Sequence, residues 1–505
     1  MANPAPSRSG FAAGAVAALL AAVVMLALGA LAGVPVPLQL IADRLTILIP
    51  LDLFGTLLGS LESQAKPLAL AGVIIAQVLL GGAVAVLVAR LARRGVSPGV
   101  LFLGLTAATW AVLAFVVAPL GAIGLVGRDG SAGLWRTALG FLVIALVFAG
   151  ALVLGLEGAG GSGREIDPAR RRILRLAGFG VPAGLAVLFL GRFGLQMAER
   201  GEAAPGAASG QLPTPLTPTE DFYIVSKNFF DPSVSVPDWR LTIDGQVERP
   251  RAYTYEELRA RPTMQRITTL ECISNPVGGN YISTGEWTGL PLRDLLTEAG
   301  LRPGVVDIVL HAADDYADSI PLVAALHPDT LLAYDLNGAP LPESHGYPLR
   351  LIVPGIFGMK NVKWITRIEA VDYDFQGYWQ ERGWSDIATV QTMSRIDVPA
   401  SNRTLVAGQP TLIAGIAFAG DRGISRVEVS TDDGETWVPA TLDEPLSPLT
   451  WVLWRYEWTP IQPGRYRLMA RAYDGQGQVQ DAEERPPLPD GATGYHTVSV
   501  RVGEA

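Results

Sequence analysis

Five apolar runs in the first 200 residues restrict the fold of this chain more than any other feature. Each run offers roughly 20 apolar positions, about the length at which an α-helix crosses the hydrocarbon core of a bilayer. These runs cover residues 11–34, 68–91, 100–126, 138–156 and 176–195. The hydrophobic fraction of 49% is high for the whole chain because of this region alone. We therefore predict a helical membrane domain of five spans over residues 1–198.

A further apolar stretch, residues 38–61, is interrupted by Asp43, Arg44, Pro50 and Asp52. Charged residues and a proline are costly in a lipid-exposed helix, so this stretch is expected to lie on the membrane surface or to re-enter it. It is not counted as a sixth span.

Arginines flanking the apolar runs predict the orientation of the membrane domain. Arg90, Arg93 and Arg94 follow the second run, and a group of five arginines in residues 164–175 precedes the fifth. Loops rich in arginine stay in the cytoplasm, so both loops are assigned there. Five crossings from a cytoplasmic amino terminus then place the chain after about residue 198 on the extracytoplasmic face of the cell membrane.

The run RRRILR, residues 170–175, allows two interpretations. It resembles the twin-arginine signal, which exports folded proteins and therefore suits a domain that folds around a cofactor. The alternative is that these arginines only anchor the fifth span by their charge. Both interpretations place the following domain outside.

The remainder of the chain divides by composition into a linker and two domains. Residues 199–218 are rich in Pro, Gly and Ala without an apolar period, which is typical of a flexible linker. Residues 219–396 mix short strands and helices, including the helical stretches TYEELRARP and LRDLLTEAG, and predict an α+β domain. Residues 397–505 contain strand patterns alone, with a hairpin turn at Asp433-Gly434, and predict a β-sandwich.

The chain has a single cysteine, Cys272, in the run ITTLECISNPVGG. One thiol cannot form an internal disulfide, so a special role would be that of nucleophile, redox group or metal ligand. The plain alternative is a buried cysteine that packs as a small hydrophobic residue.

Two segments downstream favour the metal ligand. The stretch LLAYDLNGAPLPESHGYPLRLIVPGIFGMKNVKWITRIEA, residues 331–370, resembles the pterin-binding stretch of the sulfite oxidase family. In that family, HGxPxR and GxxxVKW segments hold a molybdenum cofactor, and an upstream cysteine in a TLxC pattern ligates the metal. The three motifs occur here in that order, and the resemblance covers roughly residues 221–500. It implies a molybdopterin domain followed by an immunoglobulin-like dimerisation domain, and hence a homodimer.

The resemblance assigns roles to individual residues. Cys272 is expected to supply a soft thiolate to molybdenum in the molybdopterin cofactor. Arg350 and Lys363 stand where the family binds the pterin phosphate, which needs fixed cations. His345 and Asn361 are expected to form hydrogen bonds with the cofactor.

Three weaker candidates for cofactor binding follow from the same resemblance. They are Asn228, Asn275 and Lys360. Asn275 precedes a proline, so it is equally well explained by turn chemistry. Lys360 is equally well explained as a solvated surface charge.

The substrate site departs from the family pattern. Sulfite oxidases follow the ligand cysteine with an Asn-Arg-Arg run, whereas Asn275 is followed here by Pro276 and Val277. Lys227 replaces an arginine near the start of the domain, and Trp384 stands in place of an active-site tyrosine. A single lysine is a poor substitute for a cluster of arginine forks. We therefore expect two-electron oxygen-atom transfer on a small substrate other than sulfite, such as a neutral sulfoxide or another oxygenated small molecule, with Lys227 and Trp384 as catalytic residues; the direction of the reaction stays open.

Composition limits the partners of the protein. All four histidines follow the membrane region and one cysteine cannot form CxxC patterns, so membrane haem and iron–sulfur clusters are excluded. A separate electron-transfer partner is expected, either a cytochrome or quinone. The net charge of −9 gives no support for nucleic-acid binding.

Two other classes of function remain open. One is a redox-inactive, membrane-tethered binding protein on the same fold, which the missing arginines support. The other is a transporter or sensor, which the near absence of ionisable residues within the apolar runs opposes.

Overall fold

The computed structural model describes residues 6–47, 65–160 and 210–504, with gaps at 122, 129, 131 and 229–230. The chain divides into two compact units. One unit comprises Met1–Ala198 with Asn228–Pro232, and the other comprises Glu199–Lys227 with Ser233–Ala505. The two units are described separately below.

The described part of the N-terminal unit is helical. Its helices are α1 (Pro6–Ala32), α2 (Pro37–Ile47), α3 (Ala65–Arg93), α4 (Pro98–Val112) and α5 (Gly133–Gly160). Helix α4 begins at the N-cap Ser97, whose side chain accepts a hydrogen bond from the Val100 amide, and continues through a π-helical turn, Leu113–Val117.

Four segments are long and apolar enough to cross a membrane. They are Gly10–Ala32, Ala71–Arg93, Pro98–Leu120 and Gly133–Leu156. These segments match the first four predicted runs. The fifth run and the arginines that precede it lie outside the described residues, so the count of five spans stays a prediction. Of the interrupted stretch, residues 38–47 belong to α2 and 48–61 lie outside the described residues.

Glycines allow α1 and α3 to pack closely. A Cβ atom built on Gly81 of α3 would lie 2.5 Å from the Ala18 Cβ and 2.9 Å from the Gly14 carbonyl oxygen of α1. Ala17, Ala18 and Ala85 are buried in the same contact. Small residues at such a crossing let two helix backbones approach, which is the usual packing mode between apolar helices.

The first domain of the second unit is α+β, as predicted. Its first sheet has the order β2-β1-β10-β5-β6, and its second sheet has the order β3-β4-β7-β8 with β9 beside β7. Within the first sheet, β1 and β10 are parallel, with Ile243 opposite Ile368. The strands are β1 (Leu241–Gly245), β2 (Arg251–Tyr253), β3 (Met264–Glu271), β4 (Ile282–Pro291), β5 (Asp307–Ala312), β6 (Ala317–Pro321), β7 (Leu331–Leu336), β8 (Ala339–Pro340), β9 (Arg350–Ile352) and β10 (Ile365–Val371).

Helices form where the sequence predicted them in this domain. Helix α6 (Tyr255–Arg259) begins with a capping box between Thr254 and Glu257, in which each residue bonds the backbone amide of the other. Helix α7 (Leu292–Ala299) ends at Gly300, whose φ of 72° suits a left-handed cap. The short α8 (Leu322–Ala325) follows β6. The buried face of α7 packs into the core of the first sheet, with Leu292, Leu295 and Leu296 fully buried.

The C-terminal part is a sandwich of two sheets, with the orders β11-β13-β17-β16 and β12-β19-β18-β14-β15. Trp454, Ile413 and Leu468 are among the buried residues of its core. At the predicted hairpin turn, Asp433 and Gly434 both have positive φ angles, and β14 pairs with β15 across it. The strands are β11 (Met393–Val398), β12 (Thr404–Val406), β13 (Thr411–Phe418), β14 (Ile424–Ser430), β15 (Val438–Pro439), β16 (Thr441–Leu442), β17 (Val452–Trp458), β18 (Gly464–Asp474) and β19 (Thr497–Gly503).

Gly81→Val should destabilise the N-terminal unit, because the new side chain would collide with α1 at Ala18. Overpacking of this kind costs about 1–3 kcal/mol. Gly72→Val on the same helix is the matched control, since a Cβ at Gly72 meets no atom of the described residues within 4 Å. Thermal unfolding of the detergent-purified protein should show a lower midpoint for Gly81→Val than for Gly72→Val. Equal midpoints would contradict the close helix contact.

Candidate active site

Cys272 follows β3 directly and begins a tight loop. Its amide donates to the Tyr281 carbonyl at 2.9 Å, and its own carbonyl accepts from the Asn275 amide at 2.9 Å. The residue is 7% exposed, and its sulfur lies 3.1 Å from the Ser274 hydroxyl oxygen. Burial raises the pKa of the thiol. A bound soft metal ion would stabilise the thiolate that this environment otherwise disfavours.

Asn275 braces this loop from within. Its amide nitrogen donates to Glu271 Oε1 at 2.9 Å, and its amide oxygen accepts from the Tyr281 backbone N–H at 3.0 Å. Both ends of the side chain are therefore used inside the loop, which is the arrangement that turn chemistry predicts. Glu271 is buried beside Cys272, and burial raises its pKa to about 7.

Tyr223 and Phe222 are site residues that the sequence analysis missed. The ring of Phe222 stacks on Tyr223 and meets the edges of Trp287 and His345 at 5.5 Å and 5.4 Å. Burial, and next the nearby Cys272 thiolate, raise the pKa of Tyr223. The two aromatic rings thereby connect the cysteine loop to the HGYPLR segment. The only sequence signal was an aromatic pair at the start of the domain.

Gly346 brings the two expected phosphate ligands together. It follows the 3-10 helix Glu343–His345 and has a φ of 112°. A Cβ built there would lie 3.0 Å from the Lys363 Cβ and 3.2 Å from the Arg350 Cβ. Burial, followed by the charges of Arg350 and Lys363, lowers the pKa of His345 to about 3. His345 is therefore neutral at physiological pH and can both donate and accept a hydrogen bond.

Arg350 is a buried cation, 6% exposed. Its Nη1 donates to the His345 carbonyl at 3.3 Å, and its guanidinium lies 5.1 Å from the Trp287 ring centre. Its Nε is buried and has no hydrogen-bond partner among the described residues. Burial lowers the pKa of Arg350 to about 10. A buried guanidinium with an unused donor is a costly arrangement that an anionic ligand would relieve.

Lys363 and Asn361 both belong to the GxxxVKW segment but make different kinds of contact. Lys363 Nζ donates to the Ser344 carbonyl at 3.0 Å and lies 4.2 Å from the Trp364 ring centre. Asn361 is buried, and its side chain accepts from the Val353 amide at 2.7 Å and donates to the Phe357 carbonyl at 3.2 Å. Lys363 therefore adds a charge near Arg350, whereas Asn361 closes the loop that carries the VKW segment.

Lys360 is fully enclosed, with 1% of its side chain exposed, so it is not a solvated surface charge. Its ammonium lies 3.0 Å from Asp318 Oδ1 and 3.1 Å from Asp386 Oδ1. Two carboxylates balance its charge, which makes it a less suitable phosphate ligand than Arg350 or Lys363.

Lys227 and Trp384 meet around a cluster of aromatic rings. Lys227 Nζ donates to the Asp314 carbonyl at 2.8 Å and lies 5.5 Å from the Tyr378 ring centre. Tyr378 contacts Trp379 at 4.9 Å, and Trp379 contacts Trp384 at 6.4 Å. The indole N–H of Trp384 is buried without a hydrogen-bond partner among the described residues. The fold thus brings the two expected catalytic residues to one cluster.

Asn228 belongs, with the segment Asn228–Pro232, to the N-terminal unit. Its side-chain oxygen accepts a hydrogen bond from Gln39 Nε2 at 3.1 Å. Its cofactor role stays a prediction.

Arg382 is a second cation beside Tyr378 that the sequence analysis missed. Its guanidinium stacks on the Tyr378 ring at 3.5 Å, and its Nη1 donates to the Tyr378 carbonyl at 2.5 Å. Its Nε is buried and unpartnered within the described part of the chain. The aromatic cluster around Tyr378 therefore holds two cations, Lys227 and Arg382, and not one. Arg382 lies in the run YWQERGWSD, but no sequence motif distinguished it from other arginines.

The loop after Asn275 packs against the sandwich of the same unit. Arg395 Nη1 donates to the Gly279 carbonyl at 2.6 Å, and its Nε pairs with Asp397 at 2.8 Å. The His496 ring lies where a Cβ on Gly278 would stand. A loop that contains Gly278 and Gly279 thus follows Asn275 where the family has an arginine run, and Arg395 and His496 of the sandwich contact this loop.

The residues fit a molybdopterin cofactor. A buried thiol, a neutral histidine and two adjacent cations, one with an unused donor, supply a soft metal ligand and an anion site. Among the described residues, no cluster of three or more His, Cys, Asp or Glu side chains could hold a metal ion by itself. A metal at Cys272 must therefore bring most of its ligands with it.

Comparisons with known proteins agree with a molybdopterin site formed by these residues. An oxidoreductase molybdopterin binding domain model matches residues 229–379, and a Mo-co oxidoreductase dimerisation domain model matches residues 385–501. Sulfite oxidase of Gallus gallus is 31% identical over 321 residues, which cover 54% of this chain and 69% of that protein. Mitochondrial sulfite oxidase of Homo sapiens is 29% identical over 323 residues, covering 53% and 59%.

Two further similarities extend the comparison. Inducible nitrate reductase [NADH] 2 of Glycine max is 31% identical over 300 residues, covering 47% of this chain and 34% of that protein. The crystal structure of the sulfane dehydrogenase SoxCD from Paracoccus pantotrophus superposes with a TM-score of 0.52 at 24% identity, covering 61% of this chain and 89% of that chain. The latter similarity supports the fold.

Cys272→Ser should leave the fold intact but abolish turnover, because a hydroxyl is a poor replacement for a soft thiolate ligand. Ser274→Ala is the matched control, since it removes the neighbour of the sulfur and keeps the thiol. Molybdenum content and the metal absorption spectrum should change in Cys272→Ser and stay native in Ser274→Ala. Native activity and spectrum in Cys272→Ser would show that the assignment of the ligand is wrong.

Arg350→Gln should lower cofactor occupancy, because it removes a charge-assisted contact worth roughly 1.5–3 kcal/mol. That range corresponds to about a 10- to 100-fold loss of affinity. Arg302→Gln, at an exposed position of the same domain, is the control. Molybdenum and pterin per chain measure the effect. Equal occupancy in the two variants would argue against an anion site at Arg350.

Proposed function

The chain belongs to the sulfite oxidase family and is a molybdopterin-dependent oxidoreductase, and from this premise we propose that it transfers oxygen atoms to or from a small substrate other than sulfite. The observation that carries this proposal is the loop after Asn275. Where sulfite oxidases carry an Asn-Arg-Arg run, this loop offers Pro276 to Gly279 and is held against Arg395 and His496.

The molybdenum cofactor, when bound, supplies a metal centre that changes oxidation state by two electrons while one oxygen atom is exchanged. Cys272 would ligate the metal, and Arg350 with Lys363 would hold the pterin phosphate. His345 would remain neutral and form a hydrogen bond with the cofactor, because the two neighbouring cations oppose its protonation. Retention of these four residues together counts against a redox-inactive binding protein.

Lys227 would orient the substrate oxygen and supply a proton to it. Asp314 lies 3.7 Å from its ammonium and offsets its charge, so the lysine gives little net attraction for an anion. The Arg382 Nε–H and the Trp384 indole N–H have no hydrogen-bond partner among the described residues, and they add donors that suit the oxygen atom of a neutral molecule such as a sulfoxide.

Arg382 also supports a second candidate, an anionic sulfur substrate. Its nearest carboxylate oxygen in the described residues, on the exposed Glu381, is 3.9 Å away. A buried guanidinium with so distant a counter-charge would gain from an anion at its free edge. The substrate assay below distinguishes the two candidates.

We further infer that the enzyme is anchored by five spans, with the catalytic domain on the extracytoplasmic face and export by the twin-arginine route. The apolar helices and the arginines at the end of α3 support this arrangement. We infer that the C-terminal sandwich is immunoglobulin-like and forms a homodimer, which the dimerisation-domain match supports. A cytochrome or quinone would carry the electrons.

The purified protein should reduce a sulfoxide with an artificial electron donor far more efficiently than it oxidises sulfite. Lys227→Ala should lower kcat/KM for the sulfoxide by about 100-fold without loss of molybdenum, because a positioned general acid contributes at least that much. Lys227→Arg, which keeps the charge but not the compact ammonium, is the control. Efficient sulfite oxidation by the unmodified protein would overturn the proposal and favour the anionic candidate.

A further inference from the structure

A row of buried ionisable side chains runs from the surface into the aromatic cluster around Tyr378. Asp386 is the outer member, with 39% of its side chain exposed. Its Oδ1 accepts from Lys360 Nζ at 3.1 Å, and the same ammonium lies 3.0 Å from Asp318 Oδ1. Asp318 is fully buried. Three charged groups are thus joined in sequence from water to the interior.

Tyr316 continues the row inward. Its hydroxyl donates to Asp318 Oδ2 at 2.7 Å and lies 2.9 Å from the Met359 carbonyl oxygen. Its ring centre is 5.9 Å from that of Tyr378, which Lys227 approaches at 5.5 Å. The Tyr316 backbone amide also bonds Asp314, the carboxylate beside Lys227. The row therefore ends at Tyr316, which is separated by the Tyr378 ring from Lys227, the residue that we expect to protonate the substrate.

The outer end of the row has access to water. Ser385 and Ile387, which flank Asp386, line an open pocket of about 330 Å³ together with Pro489 and Thr493. The inner part runs along the cofactor segment, since Met359 and Lys360 belong to the 3-10 helix Gly358–Lys360. A Cβ on Gly358 would lie 2.5 Å from the Tyr223 hydroxyl and 3.2 Å from the Glu271 carbonyl oxygen. The helix that carries the inner part of the row therefore lies against Tyr223 and Glu271, and Glu271 precedes Cys272 in the chain.

Packing alone does not require buried ionisable side chains such as Lys360, Asp318 and Tyr316. Buried ion pairs contribute little net stability, and apolar side chains of similar size often replace them without loss. Burial raises the pKa of Asp318 in spite of the nearby Lys360 ammonium, and it raises the pKa of Tyr316 well above its ordinary value. Both groups therefore hold protons more tightly than exposed groups of the same kind.

We propose that Asp386, Lys360, Asp318 and Tyr316 form a proton path between bulk water and the substrate pocket at Lys227. The proposal rests on the oxygen-atom transfer proposed above. Reduction of an oxygenated substrate XO consumes two electrons from a quinol or reduced cytochrome and two protons, and it yields X and water. The oxidation of X by water releases the same two protons and two electrons. In either direction protons must cross a buried pocket.

Each transfer breaks one bond to hydrogen and forms another. Lys227 gives an ammonium proton to the substrate oxygen and becomes a neutral amine. The path then restores that proton. Asp386 takes the replacement from water, Lys360, Asp318 and Tyr316 pass it inward, and a water molecule beside the Tyr378 ring would carry it from the Tyr316 hydroxyl to the Lys227 amine. The net charge of the row is unchanged after each cycle.

Tyr316→Phe and Asp386→Asn test the path with little change of packing. Phenylalanine keeps the ring contact with Tyr378, and asparagine keeps the size of the outer residue. Tyr373→Phe and Asp374→Asn are matched controls at exposed positions. The molybdenum-loaded enzyme, reduced in weakly buffered solution by two equivalents of the methyl viologen radical cation, which releases no proton when it is oxidised, should take up protons at least 10-fold more slowly in the two path variants, as followed with a pH-indicator dye.

Formate tests the role of Asp386 further, because a small weak acid can replace the missing carboxylate. It should restore proton uptake in Asp386→Asn and leave Tyr316→Phe slow. Molybdenum content should match that of the controls. Wild-type uptake rates in both path variants, or loss of molybdenum from them, would overturn the path and leave the row as a brace for the cofactor segment. The measurement uses no substrate, so it is independent of whether a sulfoxide is turned over.

Discussion

The burial of cationic side chains with incomplete compensation is the constraint on which the rest of the catalytic unit depends. Arg350 is enclosed with an unused donor, beside Lys363 and a neutral His345. Such an arrangement is unfavourable in an empty protein interior. It becomes favourable when an anion is bound, so cofactor binding and the stability of this region are expected to be coupled. Gly346 is needed here because a side chain would separate the two cations.

The cysteine loop is held from two directions. Within the loop, Asn275 bonds Glu271 and the Tyr281 amide. From the sandwich, Arg395 bonds Gly279 and is itself paired with the buried Asp397. The C-terminal part of the unit therefore fixes the backbone next to Cys272. The contacts of Arg395 with Gly279 and of His496 with Gly278 link the loop after Asn275 to the sandwich.

The polar row from Asp386 to Tyr316 places ionisable groups where hydrophobic residues would pack more simply. It lies between the cofactor segment and the aromatic cluster that carries Trp384. Gly377 allows the chain before Trp384 to lie close to β6, because a Cβ at this position would be 2.7 Å from the Ala317 carbonyl oxygen. The aromatic segment can therefore dock against the edge of β6. The row from Asp386 to Tyr316 thus contacts both the cofactor segment and the aromatic cluster where the substrate is expected to bind.

The sequence alone determined the features that depend on local pattern. Apolar run length indicated the four described membrane-type helices, the stretches TYEELRARP and LRDLLTEAG indicated two helices of the next domain, and three ordered motifs identified the cofactor type. Tertiary structure alone decided which charges are compensated, because residues distant in the chain must meet before an ion pair forms. Lys360 was indistinguishable from a surface lysine until Asp318 and Asp386 enclosed it. Arg382 and Tyr223 carried no motif, and only the folding of their segments onto Tyr378 and Gly358 made them part of the site.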